Sequence, residues 1–147
     1  MSEKLDKYKK YGKKFEELLR PSSFPIAIKL VKDESEILSN FKRPKSDLNV
    51  QTFICQTFKM VRSYGWTMAM TEEDCACKLA RGIYGWDPMT EEAKNFANQF
   101  SVGLYAKDLG TAKKWQEKIY LLKDKYLGLI ISPLTRTKIE PDVVQIY

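Results

Sequence analysis

Leu5, Tyr8, Phe15, Leu18 and Leu19 recur at helical spacing among lysines and acids, which predicts an amphipathic helix over residues 4–19. Pro21 cannot continue a helix interior, and Pro-Ser-Ser-Phe-Pro leads into the short β-rich run Ile26–Val31, read as a strand with Lys29 among apolar neighbours. Residues 33–41 are expected to form a short helix. Lys42-Arg43-Pro44-Lys45 reads as a basic loop in which Pro44 keeps Arg43 extended. A helix capped by Asp47 or Asn49 should then carry Val50, Ile54, Val61 and Tyr64, with Phe53, Phe58 and Met60 beside them. Cys55 would lie in its second turn, and Gly65 would end it. Residues 66–70 alternate large with small side chains, as a half-buried strand does.

Thr71-Glu72-Glu73-Asp74 has the form of a capping box, placing Cys75 and Cys77 in the first two turns of the helix it would start. Gly82 inside that pattern implies close packing or an approach of backbone to ligand. Thr90 should cap a helix bearing Ala93, Phe96, Ala97 and Phe100, and Thr111 another reaching Tyr120 with Trp115 and Ile119 inward. Strands over 126–133 and 142–147 close the chain. The run KYLGLIISPL is nearly all apolar, so its strand should be buried on both faces. The expected fold is α/β, with a mixed α+β arrangement as its variant: a small sheet of about four strands covered by helices.

A chain of 147 residues that is 44% hydrophobic and 12% aromatic can bury one core, and a single domain over residues 1–147 is expected. Its apolar runs fall far short of the roughly 20 residues that cross a bilayer, and the lysine-rich start lacks the apolar segment of a signal peptide. A cytoplasmic protein with no membrane partner is the expectation. The net charge of +6 is uneven: residues 1–45 hold twelve Lys or Arg against seven Asp or Glu, and residues 71–92 hold two against six. Lysines interspersed with Glu3, Asp6, Glu16 and Glu17 read as a solvated helix face rather than a nucleic-acid surface. Nucleic acid is therefore the disfavoured partner.

The chemistry concentrates in residues 51–87, which contain all three cysteines, Cys55, Cys75 and Cys77. Three are too few for a disulfide-built scaffold, and the odd number leaves at least one thiol unpaired within a monomer. The absence of histidine removes Ser-His and Cys-His nucleophile pairs and helical zinc motifs built on paired histidines. Thiolates suit zinc and iron-sulfur clusters, and a cysteine in a helix's first turn has its anion favoured by the helix dipole. Against this, Glu72, Glu73 and Asp74 oppose thiolate formation beside Cys75 and Cys77, and three sulfurs fall short of a closed four-ligand site. Cys-Ala-Cys on a helix points its sulfurs in nearly opposite directions, a weak metal signal. Free cysteines also serve simply as small buried apolar residues. Lys29, Arg43 and Arg62, each in or beside an apolar element near the cysteine helix, are the expected anion contacts.

The segments PIAIKL, KRP, FICQTFKMVRSYG, MTEEDCACKLARGIYGW, GLIISPL and EPDVVQIY together resemble the N-terminal part of the domain of unknown function 169 family, an uncharacterised group common in archaea and anaerobic bacteria. The resemblance spans nearly the whole chain. It maps the family's helix cysteine followed by glutamine onto Cys55-Gln56, and the cysteine after the threonine-acid cap onto Cys77; Cys75 is an addition. Family members continue past the PDVV strand into a second half with further cysteine-containing segments, whereas this sequence stops at Tyr147.

Two function classes follow. One is a metal, iron-sulfur or redox site formed by Cys55 and Cys77, with Cys75 optional and zinc or an iron-sulfur cluster as the cofactor. The other is a non-catalytic binding or assembly subunit. Its support is the terminal strand, expected beside GLIISP with no following helix to cover it, together with Tyr84, Trp86 and Tyr105 in loops. A homo-oligomer or a separate partner chain would supply the cover.

Overall fold

The computed structural model describes residues 3–122 and 125–146, which divide into two compact units. One is drawn from Met1–Ala76 and Leu127–Tyr147, the other from Cys77–Tyr126. The fold is mixed α/β, with six helices and a four-stranded antiparallel sheet among the described residues.

The first unit contains the sheet. Strands β1 (Ile26–Val31), β2 (Met68–Thr71), β3 (Gly128–Pro133) and β4 (Val143–Gln145) lie in the order β2-β3-β1-β4. Ile28 pairs with Ile131, and Ile131 in turn with Met68, so β3 has a neighbour on each side. All six of its residues are buried, as its nearly continuous apolar run requires. Alternation puts Val31, Ala69 and Ile130 on one face, under Phe41, Ile37 and Ile139. The opposite face carries Ile28, Met68 and Ile131, and helix α3 (Ile54–Tyr64) packs on β3 with Val61 fully buried. Each such side chain contributes about 1.5–3 kcal/mol on burial. Helix α1 (Glu3–Leu19) rests on the turn Leu134–Arg136, where Gly12 leaves no room for a Cβ beyond 3.0 Å from Thr135. Leu5 is buried, but Leu18 and Leu19 are exposed.

Several expected elements differ. Residues 33–41 yield only the single turn Glu34–Glu36. The basic loop is extended at Arg43 (φ −118°, ψ 134°), but Pro44 opens helix α2 (Pro44–Leu48), a position where its missing N–H costs nothing. Asn49, at φ 53°, ends that helix rather than starting the next. The Gln56 side chain accepts from Phe53 N instead (2.8 Å), starting α3 late enough to put Cys55 in its first turn. Gly65, at φ 71°, ends α3 as expected. The terminal strand pairs with β1 at the sheet edge and not with GLIISP, because β2 already fills the other side of β3. Tyr147, expected in that strand, lies outside the described residues.

The second unit is helical: α4 (Lys78–Tyr84), α5 (Glu91–Ser101) and α6 (Leu109–Gln116). Thr90 caps α5 through Ala93 N at 3.2 Å. Asp108, not Thr111, caps α6: its carboxylate accepts from Thr111 N at 2.7 Å. Trp115 is half exposed rather than inward. Gly82 packs on Met89, whose Cε would lie 2.5 Å from an added Cβ, so the close-packing reading of that glycine holds.

Candidate functional site

The three cysteines have three different surroundings. Asp74 ends a one-turn helix, Glu72–Asp74, instead of opening a long one. The reason is local: its carboxylate is 1% exposed and collects Thr71 N (3.0 Å), Thr71 Oγ1 (3.1 Å), Arg43 Nε (3.1 Å), Arg43 Nη2 (3.0 Å) and Lys45 N (3.1 Å). The chain therefore turns back and runs extended. Thr52 N reaches Asp74 O (2.9 Å) and Ala76 N reaches Thr52 O (3.0 Å), holding Cys75 fully buried between them. Cys75 and Cys77 thus stand outside the helix in which they were expected. Cys77 precedes α4 as its N-cap, with Sγ accepting from Ala80 N at 3.4 Å.

Cys55 is exposed, in the first turn of α3. With Thr57 and Val61 turned to the sheet, the outward face of α3 presents Cys55, Lys59, Arg62 and Ser63 at steps of four, three and one. These four and Phe58 line a shallow cleft of about 290 Å³. Arg62 and Ser63 also line a neighbouring cleft of about 270 Å³ with Glu16, Arg20 and residues 21–24. Phe24 N donates to Arg62 O at 2.9 Å, tying that loop to the end of α3. Arg20 sits at φ 44°, a left-handed conformation uncommon for a residue with a side chain.

The expected anion contacts have separate partners. Lys29 Nζ pairs with Asp142 at 3.0 Å, where Asp142 also accepts Leu30 N at 2.8 Å and fastens β4 to β1. Arg43 joins Asp74 to Glu34 (3.1 Å). Burial alone would lower its pKa, but the hydrogen bond and charge of Asp74, with Glu34 and Glu73, raise it above the usual guanidinium value. Arg62 faces the Cys55 cleft. Lys59, Arg20 and Ser63 were missed by sequence reading, although the Cys55-Lys59-Arg62-Ser63 spacing could have shown one helix face.

Among the described residues no group of three or more His, Cys, Asp or Glu side chains is placed to hold one metal ion. None of the three cysteines is joined in a disulfide. No helix of the described residues is long and apolar enough to cross a membrane. The profile of a protein family described as DUF169: Uncharacterised ArCR, COG2043 matches residues 14–147. No curated protein and no solved structure matches the chain.

Proposed function

The chain belongs to the DUF169 family, and on that footing we propose that it is a thiol protein in which Cys55 engages a small ligand bearing an anionic group. The observation that carries this reading is the exposed thiol sharing one helix face and one cleft with Lys59 and Arg62. A thiolate is the donor for a soft metal or the nucleophile toward a disulfide sulfur, and the two cations would hold a carboxylate or phosphate beside it. A cleft of about 290 Å³ lies at the lower end of ligand pockets, which suits a small acid better than a dinucleotide. In this reading Cys77 caps α4 and Cys75 is a packing residue.

Two measurements test it. Elemental analysis and an absorption spectrum of anaerobically purified protein, with Cys55→Ser as reference, show whether the thiol carries metal. Alkylation of Cys55 by iodoacetate and by iodoacetamide compares an anionic with a neutral reagent. The rate ratio should favour iodoacetate relative to free cysteine, and Lys59→Gln with Arg62→Gln should return it toward the free value. A ratio equal to that of free cysteine, in metal-free protein, would leave Cys55 an ordinary surface thiol.

The second reading is an assembly subunit that pairs with another copy or a separate chain. It draws on β4, a short edge strand in which Val143 is about half exposed, as is Ile146 just after it.

A further inference from the structure

Arg62 and Ser63 line both clefts of the first unit, so the cleft of Cys55 and that of Arg20 share a wall. At about 290 and 270 Å³ each sits at the lower end of ligand pockets, and joined they reach well into the range. The far cleft is lined by Glu16 and Arg20 together with the hydroxyls of Ser22, Ser23 and Ser63. Arg20 follows the last residue of α1, and its N–H donates to Glu16 O at 3.0 Å, which keeps the two residues one turn apart. Yet no ion pair joins their side chains. The Glu16 carboxylate accepts from Thr135 Oγ1 at 3.2 Å, and the Arg20 guanidinium has no ionic partner among the described residues. Arg20 holds this place at φ 44°, a backbone conformation disfavoured for a residue with a Cβ. A cation and an anion left unpaired in one cleft complement a group that bears both charges: an amino-acid terminus, with its carboxylate toward Arg20 and its ammonium toward Glu16.

The spacing along α3 sets the length of such a ligand. From Cys55 to Arg62 and Ser63 is roughly 10–12 Å along the helix, and an extended tripeptide spans about 10 Å. We infer that the two clefts form one site for a tripeptide-sized acidic thiol, met as its disulfide, with its sulfur at Cys55, a first carboxylate at Lys59 and its amino-acid end at Arg20 and Glu16. The step is thiol–disulfide exchange. The Cys55 thiol gives its proton to solvent, its sulfur attacks one sulfur of the disulfide, the old S–S bond breaks, and the electron pair leaves on the second half as a thiolate. Cys55 is thereby oxidised to a mixed disulfide and the released half is reduced. This rests on the reading of Cys55 as a thiol that engages an anionic ligand, and adds to it the ligand's class and its far subsite.

Glutathione disulfide and dithiodipropionate are the probes, since both carry the same net charge near neutrality and only the first reaches past Arg62 with an amino-acid end. Rates of mixed-disulfide formation on the full chain are read at Cys55 by peptide mass. Relative to free cysteine, Cys55 should prefer glutathione disulfide by roughly fivefold or more, as two exposed charge contacts allow. Arg20→Gln and Glu16→Gln should each cut that preference by roughly two- to fivefold and leave the iodoacetate-to-iodoacetamide ratio unchanged. Arg20→Gly, which suits the left-handed backbone, keeps the test valid if Arg20→Gln disturbs the turn. A preference equal to that of free cysteine, beside an intact iodoacetate ratio, overturns the inference and leaves the thiol reading standing. So does a preference that survives Arg20→Gly and Glu16→Gln together. An iodoacetate ratio equal to that of free cysteine overturns the thiol reading, and this inference with it.

Discussion

Substituting Asp74→Asn should cost about 3–5 kcal/mol, the usual penalty for removing one partner of a buried ion pair, and the lower end is expected here. Asp74 is 1% exposed, and four of its five hydrogen bonds converge on Oδ2. An asparagine that keeps its oxygen there turns its amide nitrogen toward Lys45 N, stranding a donor that Oδ1 now satisfies at 3.1 Å. Flipped, it would set two hydrogens against Arg43 and Thr71 instead. Either way Arg43 loses its full negative partner. Solvent and Glu34 relieve the guanidinium, which is 25% exposed, so the expected loss is about 3 kcal/mol. Urea unfolding at neutral pH should show the midpoint falling with the slope unchanged. The same segment holds Cys75 under Thr52, so its thiol gives a second readout. If opening this segment exposes Cys75, a 3 kcal/mol loss raises its native-state labelling rate by on the order of 100-fold. A cost below about 1 kcal/mol, together with unchanged labelling of Cys75, would refute the view that this carboxylate locks the turn.

Wild-type protein should show Cys55 reacting fastest with a disulfide reagent, half-buried Cys77 more slowly and buried Cys75 slowest; equal rates for Cys55 and Cys75 would contradict the exposure of the one and the burial of the other. Gly128→Ala should destabilise by about 1–3 kcal/mol or more, because its Cβ would sit 2.5 Å from the Met70 carbonyl oxygen in the middle of the sheet; urea unfolding checks this. Thr90→Ala should remove a helix cap at a cost of about 1 kcal/mol, whereas Thr90→Ser should not, as calorimetry would show. Asp47 and Asp108 are held below the usual carboxylate range by hydrogen bonds from the Arg43 and Thr111 amides. Their folded-state pKa is depressed, so their contribution is complete above the unfolded value of about 3.9 and is lost as pH falls below it. Helical circular dichroism should therefore be flat near neutrality and decline in acid, and Asp108→Asn, which still caps, should flatten part of that decline.

What the sequence by itself determined is set by local physics. The apolar periodicity of residues 4–19, the β-branched run Ile26–Val31, the glycine at the end of α3 and the nearly all-apolar run around GLIISP gave elements that the structure contains, because each is decided within a few residues. The extended backbone at Arg43 followed in the same way from Pro44. The family was legible too, on segments that span the chain, and the profile match over residues 14–147 agrees. Tertiary structure decided where distant partners compete with local preference. Thr71-Glu72-Glu73-Asp74 carries a helix-start signal, yet Arg43, 31 residues away in sequence, draws Asp74 into a buried pair and stops the helix after one turn. That single competition moved Cys75 into the core and Cys77 to a cap. Likewise β4 could not be placed from its own residues, since its position depends on β2 having taken the far side of β3. The Phe96–Phe100 face has a core-facing pattern in the sequence. Only the fold shows that Ala97, Asn98 and Ser101 hold the inner side, because packing geometry and not hydrophobicity alone selects which stripe of a helix is covered.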